Sequence, residues 1–241
     1  MSWVDLSGPG YPGTSRGLHA YVATPPTPGP WPGIVALHEP WGLDDVLRRQ
    51  AEHLASLGYL VVAPDLYSEG GGLRCVRQVV TDIARRDGRA FADVQAARRW
   101  LMGHIGSSGR VGVIGFCMGG GFALVLADRG FDAASVNYGK VPGDLDVLRG
   151  ACPIVASYGG RDLLLQGSAA RLEGALTEFG IPHDVKEYPH AGHSFLGDVA
   201  NTPVVMRPLA KIAGVGPDPE AARDAWARID AFFSKHLDHQ R

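Results

Sequence analysis

Cysteine is scarce in this chain of 241 residues: three occur, at positions 75, 117 and 152, and they form neither a Cys-x-x-Cys pair nor an even disulfide framework. A basic excess is lacking as well. The 23 Lys+Arg stand against 25 Asp+Glu for a net charge of -2, which removes the electrostatic footing of a phosphate-backbone binder, so nucleic acid is not an expected partner. Long hydrophobic runs are missing too. The longest charge-free apolar stretch, Val111 to Ala127, is 17 residues with five glycines and falls short of a membrane span. No charged start followed by an apolar signal segment opens the sequence. These absences predict a soluble, reduced, cytoplasmic protein with no membrane partner.

What is present is 45% hydrophobic residues, with 33 glycines and 17 prolines placed as punctuation between apolar runs. That composition suits a single globular domain over residues 1–241. The cluster Thr24-Pro25-Pro26-Thr27-Pro28-Gly29-Pro30-Trp31-Pro32-Gly33 reads as a stiff turn region, because each proline fixes its φ and lacks a donor. Strands are expected at Leu18 to Ala23, Ile34 to His38, Leu60 to Ala63, Val111 to Gly115, Ala133 to Tyr138, Ile154 to Tyr158 and Asp184 to Tyr188. Helices are expected near Asp44 to Leu57, Arg89 to Met102, Met118 to Asp128, Ser168 to Phe179 and Pro219 to His236. Strand and helix in alternation mean an α/β fold with a mainly parallel central sheet, and functional groups are expected at the carboxyl ends of its strands.

The most informative segment is Gly115-Phe116-Cys117-Met118-Gly119-Gly120-Gly121, where a strand runs through Gly-x-Cys-x-Gly into a helix. This is the context of a nucleophile elbow with cysteine in the usual place of serine; the bland reading is a buried cysteine at a tight glycine turn. The glycines let strand and helix approach, and the helix N-terminus favours a thiolate and offers the Met118 N–H as an oxyanion donor. In hydrolases of this architecture the acid and then the histidine follow the nucleophile. Asp162, in Gly159-Gly160-Arg161-Asp162, lies beyond one strand end, and His193, in Pro189-His190-Ala191-Gly192-His193-Ser194-Phe195, beyond the next. His190 is the competing base. A fourth candidate, Glu39, ends the run Ile34 to His38 and reads either as a group in the cleft or as an exposed strand-end carboxylate. The spacings of His183, His190 and His193 set no zinc pattern. A literal G-x-G-x-x-G at Gly8 to Gly13 is broken by two prolines and neither follows a strand nor opens a helix, so no dinucleotide site is expected.

Taken together, His38-Glu39-Pro40-Trp41-Gly42-Leu43-Asp44, Gly58-Tyr59, Ala63-Pro64-Asp65-Leu66-Tyr67, the elbow at Cys117, Tyr138-Gly139, Gly160-Arg161-Asp162 and Ala191-Gly192-His193-Ser194-Phe195 resemble the dienelactone hydrolase family, over roughly residues 15 to 236. The resemblance implies a three-layer α/β-hydrolase fold and hydrolysis of a small ester or lactone through a cysteine thioester, without cofactor or metal. It implies the triad Cys117, His193 and Asp162, and a role for Glu39 in controlling when the thiol loses its proton. It also makes Tyr67, Tyr138, Ser194 and Phe195 candidate substrate-binding residues. Two departures stand out. Pro40 has no N–H where dienelactone-cleaving members donate to the oxyanion, leaving Trp41 as the candidate second donor. Gly197 stands where those members carry an arginine for the substrate carboxylate, and Arg74 or Arg77 is the candidate for the other. The rival reading is a non-catalytic binding or regulatory protein on the same fold.

Overall fold

The computed structural model describes residues 2–70, 72–197 and 215–237; Gly71, within the glycine run 70–72, lies outside them. Two compact units emerge, Met1–Val113 and Ile114–Arg241, and the boundary falls inside a strand.

In the first unit the strands are β1 (Ser2–Asp5), β2 (His19–Ala23), β3 (Trp31–Leu37), β4 (Leu60–Pro64) and the greater part of β5 (Ser107–Phe116), in the order β1-β2-β4-β3-β5. β2 runs antiparallel to both β1 and β4, whereas β3 and β4 are parallel. Helices α1 (Asp45–Ser56), α2 (Gly72–Arg85) and α3 (Arg89–Gly103) connect them. The second unit continues β5 and adds β6 (Ala133–Asn137), β7 (Ile154–Gly159) and β8 (His183–Tyr188), in the order β5-β6-β7-β8, with the last three parallel. Its helices are α4 (Met118–Leu126), α5 (Ser168–Glu178) and α6 (Pro219–Leu237). Every residue of β4, β6 and β7 is buried, which is why these strands read as unbroken apolar runs. β8 carries Lys186 and Glu187 exposed at the sheet edge, where charge discourages pairing with another chain. No helix among the described residues is long and apolar enough to cross a membrane.

Two elements go beyond the sequence reading. β1 is only four residues, mostly exposed, and has too few apolar positions to show a period. α2 carries Leu73, Val76, Val79, Val80 and Ile83 at helical spacing, but its β-branched content and the glycines before it oppose a helix assignment. The proline cluster is shorter than expected: Trp31, Pro32 and Gly33 belong to β3, where Pro32 sits one residue from the strand start and the Trp31 N–H donates to Gly106 O at 2.8 Å.

Carboxylates cap the starts of α1, α3 and α6. Asp44 Oδ1 accepts from the Val46 and Leu47 N–H groups at 3.0 and 2.9 Å, and Asp218 Oδ1 does the same for Glu220 and Ala221 at 3.2 and 3.1 Å. α3 begins after Gly88, which has no side chain to cap with, so Asp82 of α2 supplies the acceptor to the Ala90 N–H at 3.1 Å. In the second unit Arg228 of α6 is bound from both neighbouring strands. It donates to Asp184 Oδ2 (3.0 Å), Asp184 O (2.9 Å), Ser157 Oγ (3.2 Å) and Tyr188 OH (3.1 Å), fastening the helix across β7 and β8.

Asp93, in α3, is buried and accepts from the Ser15 N–H and Oγ–H, both at 2.7 Å. Burial outweighs those two bonds and lifts its carboxyl to about 6. A folded-state pKa above the unfolded value of 3.8 means that between about pH 4 and 6 the folded chain keeps a proton that the unfolded chain has released. Stability from this group is therefore full below about pH 4, falls as pH rises to about 6, and is level above. The expected size is on the order of 3 kcal/mol. Urea titrations of wild type and Asp93→Asn at pH 4.5 and 7 check it: the fall between the two pH values shrinks in the variant, and an unchanged fall refutes the assignment.

Candidate active site

The second unit contains a strand-to-helix turn of unusual tightness. Cys117, between β5 and α4, has φ 53° and ψ −111°, a conformation that costs an L-residue about 1–3 kcal/mol and persists only where its surroundings enforce it. Glycine is obligatory around it. A Cβ on Gly115 would stand 1.9 Å from Gly119 O, and one on Gly139 would stand 2.3 Å from the Gly120 carbonyl carbon. Gly115→Ala is therefore expected to cost about 3 kcal/mol, the upper range for overpacking, and to lower the midpoint of urea unfolding accordingly; an unchanged midpoint would show that the turn can relax.

The turn sets the sulfur beside a histidine. His193 Nε2 lies 3.1 Å from Cys117 Sγ, and His193 Nδ1–H donates to Asp162 Oδ2 at 2.5 Å. Asp162 is buried, and its other oxygen accepts the Leu164 N–H at 3.0 Å, so both carboxylate oxygens have fixed partners. The two loops that carry acid and imidazole are tied backbone to backbone. Arg161 N–H donates to Ala191 O at 2.9 Å and Gly160 N–H to Tyr188 O at 2.8 Å, an approach possible because a Cβ on Gly159 would meet Gly192 O at 2.4 Å. His193 is held from behind as well: its carbonyl accepts the Gly216 N–H at 2.9 Å, and the Tyr138 ring packs edge-on at 5.2 Å. Burial by itself would lower the imidazole pKa, but the hydrogen bonds to Asp162 and Cys117 outweigh it and raise it to about 10.

The expected site residues fall into two groups. Cys117, Asp162 and His193 come together, with Met118 the first residue of α4 immediately after the sulfur-bearing residue. The Tyr138 and Phe195 rings meet edge-on with centroids 5.5 Å apart and are 1% and 0% exposed, so Tyr138 backs the imidazole, Phe195 backs Tyr138, and both present almost no surface of their own. Ser194 adopts φ 57° in the turn after the histidine. His190, the competing base, lies in the open beside Arg161, 3.5 Å from its guanidinium. The second group belongs to the first unit. Tyr67 OH donates to Pro40 O at 3.1 Å and its ring meets that of His38 at 4.6 Å, while Gly42, with φ 88°, lets the turn after Glu39 lie against Tyr67. Glu39 is half-buried and Trp41 is 59% exposed. His38 is fully buried, its Nδ1 2.7 Å from Glu39 O, and burial pushes its pKa down, so it stands neutral.

A cavity of about 320 Å³ in the first unit, bordered by Ser15, Glu69, Arg74, Cys75, Asp82 and Asp93 among others, includes none of the three triad residues. Among the described residues no three His, Cys, Asp or Glu side chains are grouped to hold a metal ion.

The profile of the dienelactone hydrolase family matches residues 18–237, nearly the whole chain. The chain belongs to that family. As a dienelactone hydrolase family member it is 27% identical over 238 residues to a protein of Yersinia pestis provisionally named carboxymethylenebutenolidase, covering 91% of this chain and 84% of that one. A relative in Methylorubrum extorquens with the same provisional name is 28% identical over 238 residues, covering 91% and 77%. Among solved structures, a provisionally named dienelactone hydrolase of Klebsiella pneumoniae superposes with a TM-score of 0.77 at 23% identity, covering 97% of this chain and 98% of that one. That likeness shows the α/β-hydrolase fold.

Proposed function

We propose that this family member hydrolyses small carboxylic esters or lactones through a thioester on Cys117. The observation that carries the reading is the unbroken line from Cys117 Sγ to His193 Nε2 at 3.1 Å and from His193 Nδ1 to Asp162 at 2.5 Å, on an elbow that holds Cys117 at φ 53°. In the first step the Cys117 thiolate, whose proton His193 holds, attacks the carbonyl carbon. The oxyanion forms against the first N–H groups of α4, with the Met118 N–H as donor and the Trp41 N–H, in place of Pro40, as the second. His193 then protonates the leaving alkoxide, which departs as the C–O bond breaks and the carbonyl reforms. Neutral His193 next deprotonates water for attack on the thioester, and the acid product and free thiol are released. Asp162 keeps the imidazole oriented and balances its charge throughout. Glu39, half-buried at the end of β3, is assigned the control of thiol protonation that the family resemblance gives it, and Tyr67 and Ser194 the substrate contacts.

A lactone or small ester fits the provisional carboxymethylenebutenolidase names of the relatives in Yersinia pestis and Methylorubrum extorquens. The single family match over 18–237 supports treating the whole chain as one hydrolase domain.

Acid-quenching the protein during turnover of p-nitrophenyl acetate and mapping it by mass spectrometry tests the chemistry. The expected result is one acetyl group on the peptide containing Cys117, gone after turnover ends. Turnover with the acetyl group on a different residue overturns the reading, and a folded protein with no turnover of this ester or of a lactone panel moves the assignment to a binding role.

A further inference from the structure

We infer that Asn137 is a positioning residue that grips the Cys117 elbow from both sides; this rests on the reading of Cys117 as nucleophile. In the otherwise apolar β6, Ser135 and Asn137 are both wholly buried and, two residues apart, face the same side. The Asn137 main-chain carbonyl accepts the Cys117 N–H at 3.0 Å, and its side-chain Nδ2 donates to Gly115 O at 3.2 Å. One residue thus holds the peptide before the elbow and the residue that bears the sulfur.

The same glycine that makes the turn possible creates the need for this grip. Gly115 has no side chain to lock its peptide, and glycine moves freely between backbone conformations. Close packing on Gly119 keeps the peptide from advancing, but nothing in that contact draws it back toward β6. The amide of Asn137 does. Its orientation is fixed, because a flipped amide would set Oδ1 against Gly115 O; the second Nδ2 contact, to Ser135 Oγ at 3.1 Å, is to a hydroxyl that could accept from or donate to either amide atom, so it is the Gly115 bond that sets the pose. Asn137 Oδ1 is buried without a partner among the described residues, a burial that works against folding and that an apolar side chain of similar size would avoid. A residue serving only to fill β6 would not carry that cost.

The test compares Asn137→Leu, which keeps the branched skeleton but loses the donor, with Asn137→Ser, whose short hydroxyl does not span the distance; both leave the main-chain carbonyl in place. Ser135→Ala serves as the control that spares the Gly115 bond. Steady-state hydrolysis of p-nitrophenyl acetate, the rate of Cys117 alkylation by iodoacetamide and the melting temperature are measured for each, beside Cys117→Ala. Both Asn137 variants are expected to lose about 10- to 100-fold in kcat with KM within about 2-fold, and to alkylate more slowly, while Ser135→Ala stays near wild type. If the leucine variant does not melt cooperatively, the serine variant decides. Either variant, folded and with wild-type kcat and alkylation, overturns the inference about Asn137 while leaving Cys117 as nucleophile. Persistent turnover by Cys117→Ala would instead remove the reading on which it rests.

Discussion

Cys117→Ala is expected to abolish hydrolysis of p-nitrophenyl acetate, with kcat falling by roughly 10⁴-fold or more and the melting temperature staying near that of the wild type. The change removes one sulfur atom from a half-buried position and leaves the backbone that shapes the elbow untouched, including the Cys117 N–H bond to Asn137 O and the Gly121 N–H bond to Cys117 O at 3.1 Å. Without the sulfur no acyl-enzyme can form, and the surviving rate is what the oxyanion donors and substrate binding give to direct attack by water. His193→Ala is expected to lose a similar amount. The double variant is expected to be no worse than either single one, because thiol and imidazole act as a unit and the second deletion removes nothing still in use. Steady-state kinetics on the three variants decide the matter: more than about a tenth of the wild-type kcat in Cys117→Ala, or additive losses in the double variant, would require a different nucleophile.

Asp162→Asn is expected to lower kcat by about 10⁴-fold, and its mechanism follows from the two partners of the carboxylate. Oδ1 must go on accepting the Leu164 N–H, so the amide places its oxygen there and turns Nδ2 toward His193. Facing a donor, His193 Nδ1 becomes the acceptor and the proton moves to Nε2, aimed at Cys117. An imidazole in that tautomer can no longer take the thiol proton. The loop keeps its Leu164 bond, so the variant folds. A second signature separates it from simple misfolding. Hydrogen bonding to Asp162 heads the interactions that raise His193 to about 10, and its loss brings the imidazole down. With a folded value above the unfolded 6.5, the pair contributes stability that is complete below about pH 6.5 and is lost as pH rises to about 10. In Asp162→Asn that alkaline decline is expected to flatten. Wild-type turnover, or a decline as steep as in the wild type, would show that Asp162 does not hold the imidazole.

That Cys117, His193 and Asp162 lie within hydrogen-bonding reach of one another was legible because the chemistry expected of them constrains their placement so heavily. An elbow needs glycines at fixed offsets from its nucleophile, and an α/β sheet of parallel strands delivers acid and base at successive strand ends, so Cys117, Asp162 and His193 announced themselves by order. His190 and His193 differ by three positions; His193 is the one beside Cys117 Sγ, and the glycine that lets its loop close is Gly159, whose Cβ would meet Gly192 O at 2.4 Å. Buried strands such as β4 and β7 were equally plain as continuous apolar runs. β1 and α2 were not, the first for lack of length and the second because its residues favour other conformations while tertiary contacts settle the helix. Asn137 was hidden for another reason. Nothing local marks its function, which arises from register alone, a strand neighbour twenty positions from the residue it supports. The burial of Tyr138 against His193, and of Phe195 against Tyr138 and Tyr188, likewise follows from tertiary packing that an aromatic in a sequence does not disclose.

The fastening of α6 by Arg228 bears on when the site comes into being. During synthesis Cys117 leaves the ribosome well before Asp162 and His193, and the arginine that clasps β7 to β8 emerges some thirty-five residues after the histidine. Strands β7 and β8, which precede Asp162 and His193, pair with each other over six residues, and the clasp of Arg228 on both is added only once residue 228 has arrived. At about 5–20 residues per second the interval amounts to a few seconds, in which a nascent chain carries its thiol without a firmly seated imidazole. On the proposed reading of Cys117 as nucleophile, the thiol is the first member of the site to be made and the last to be equipped.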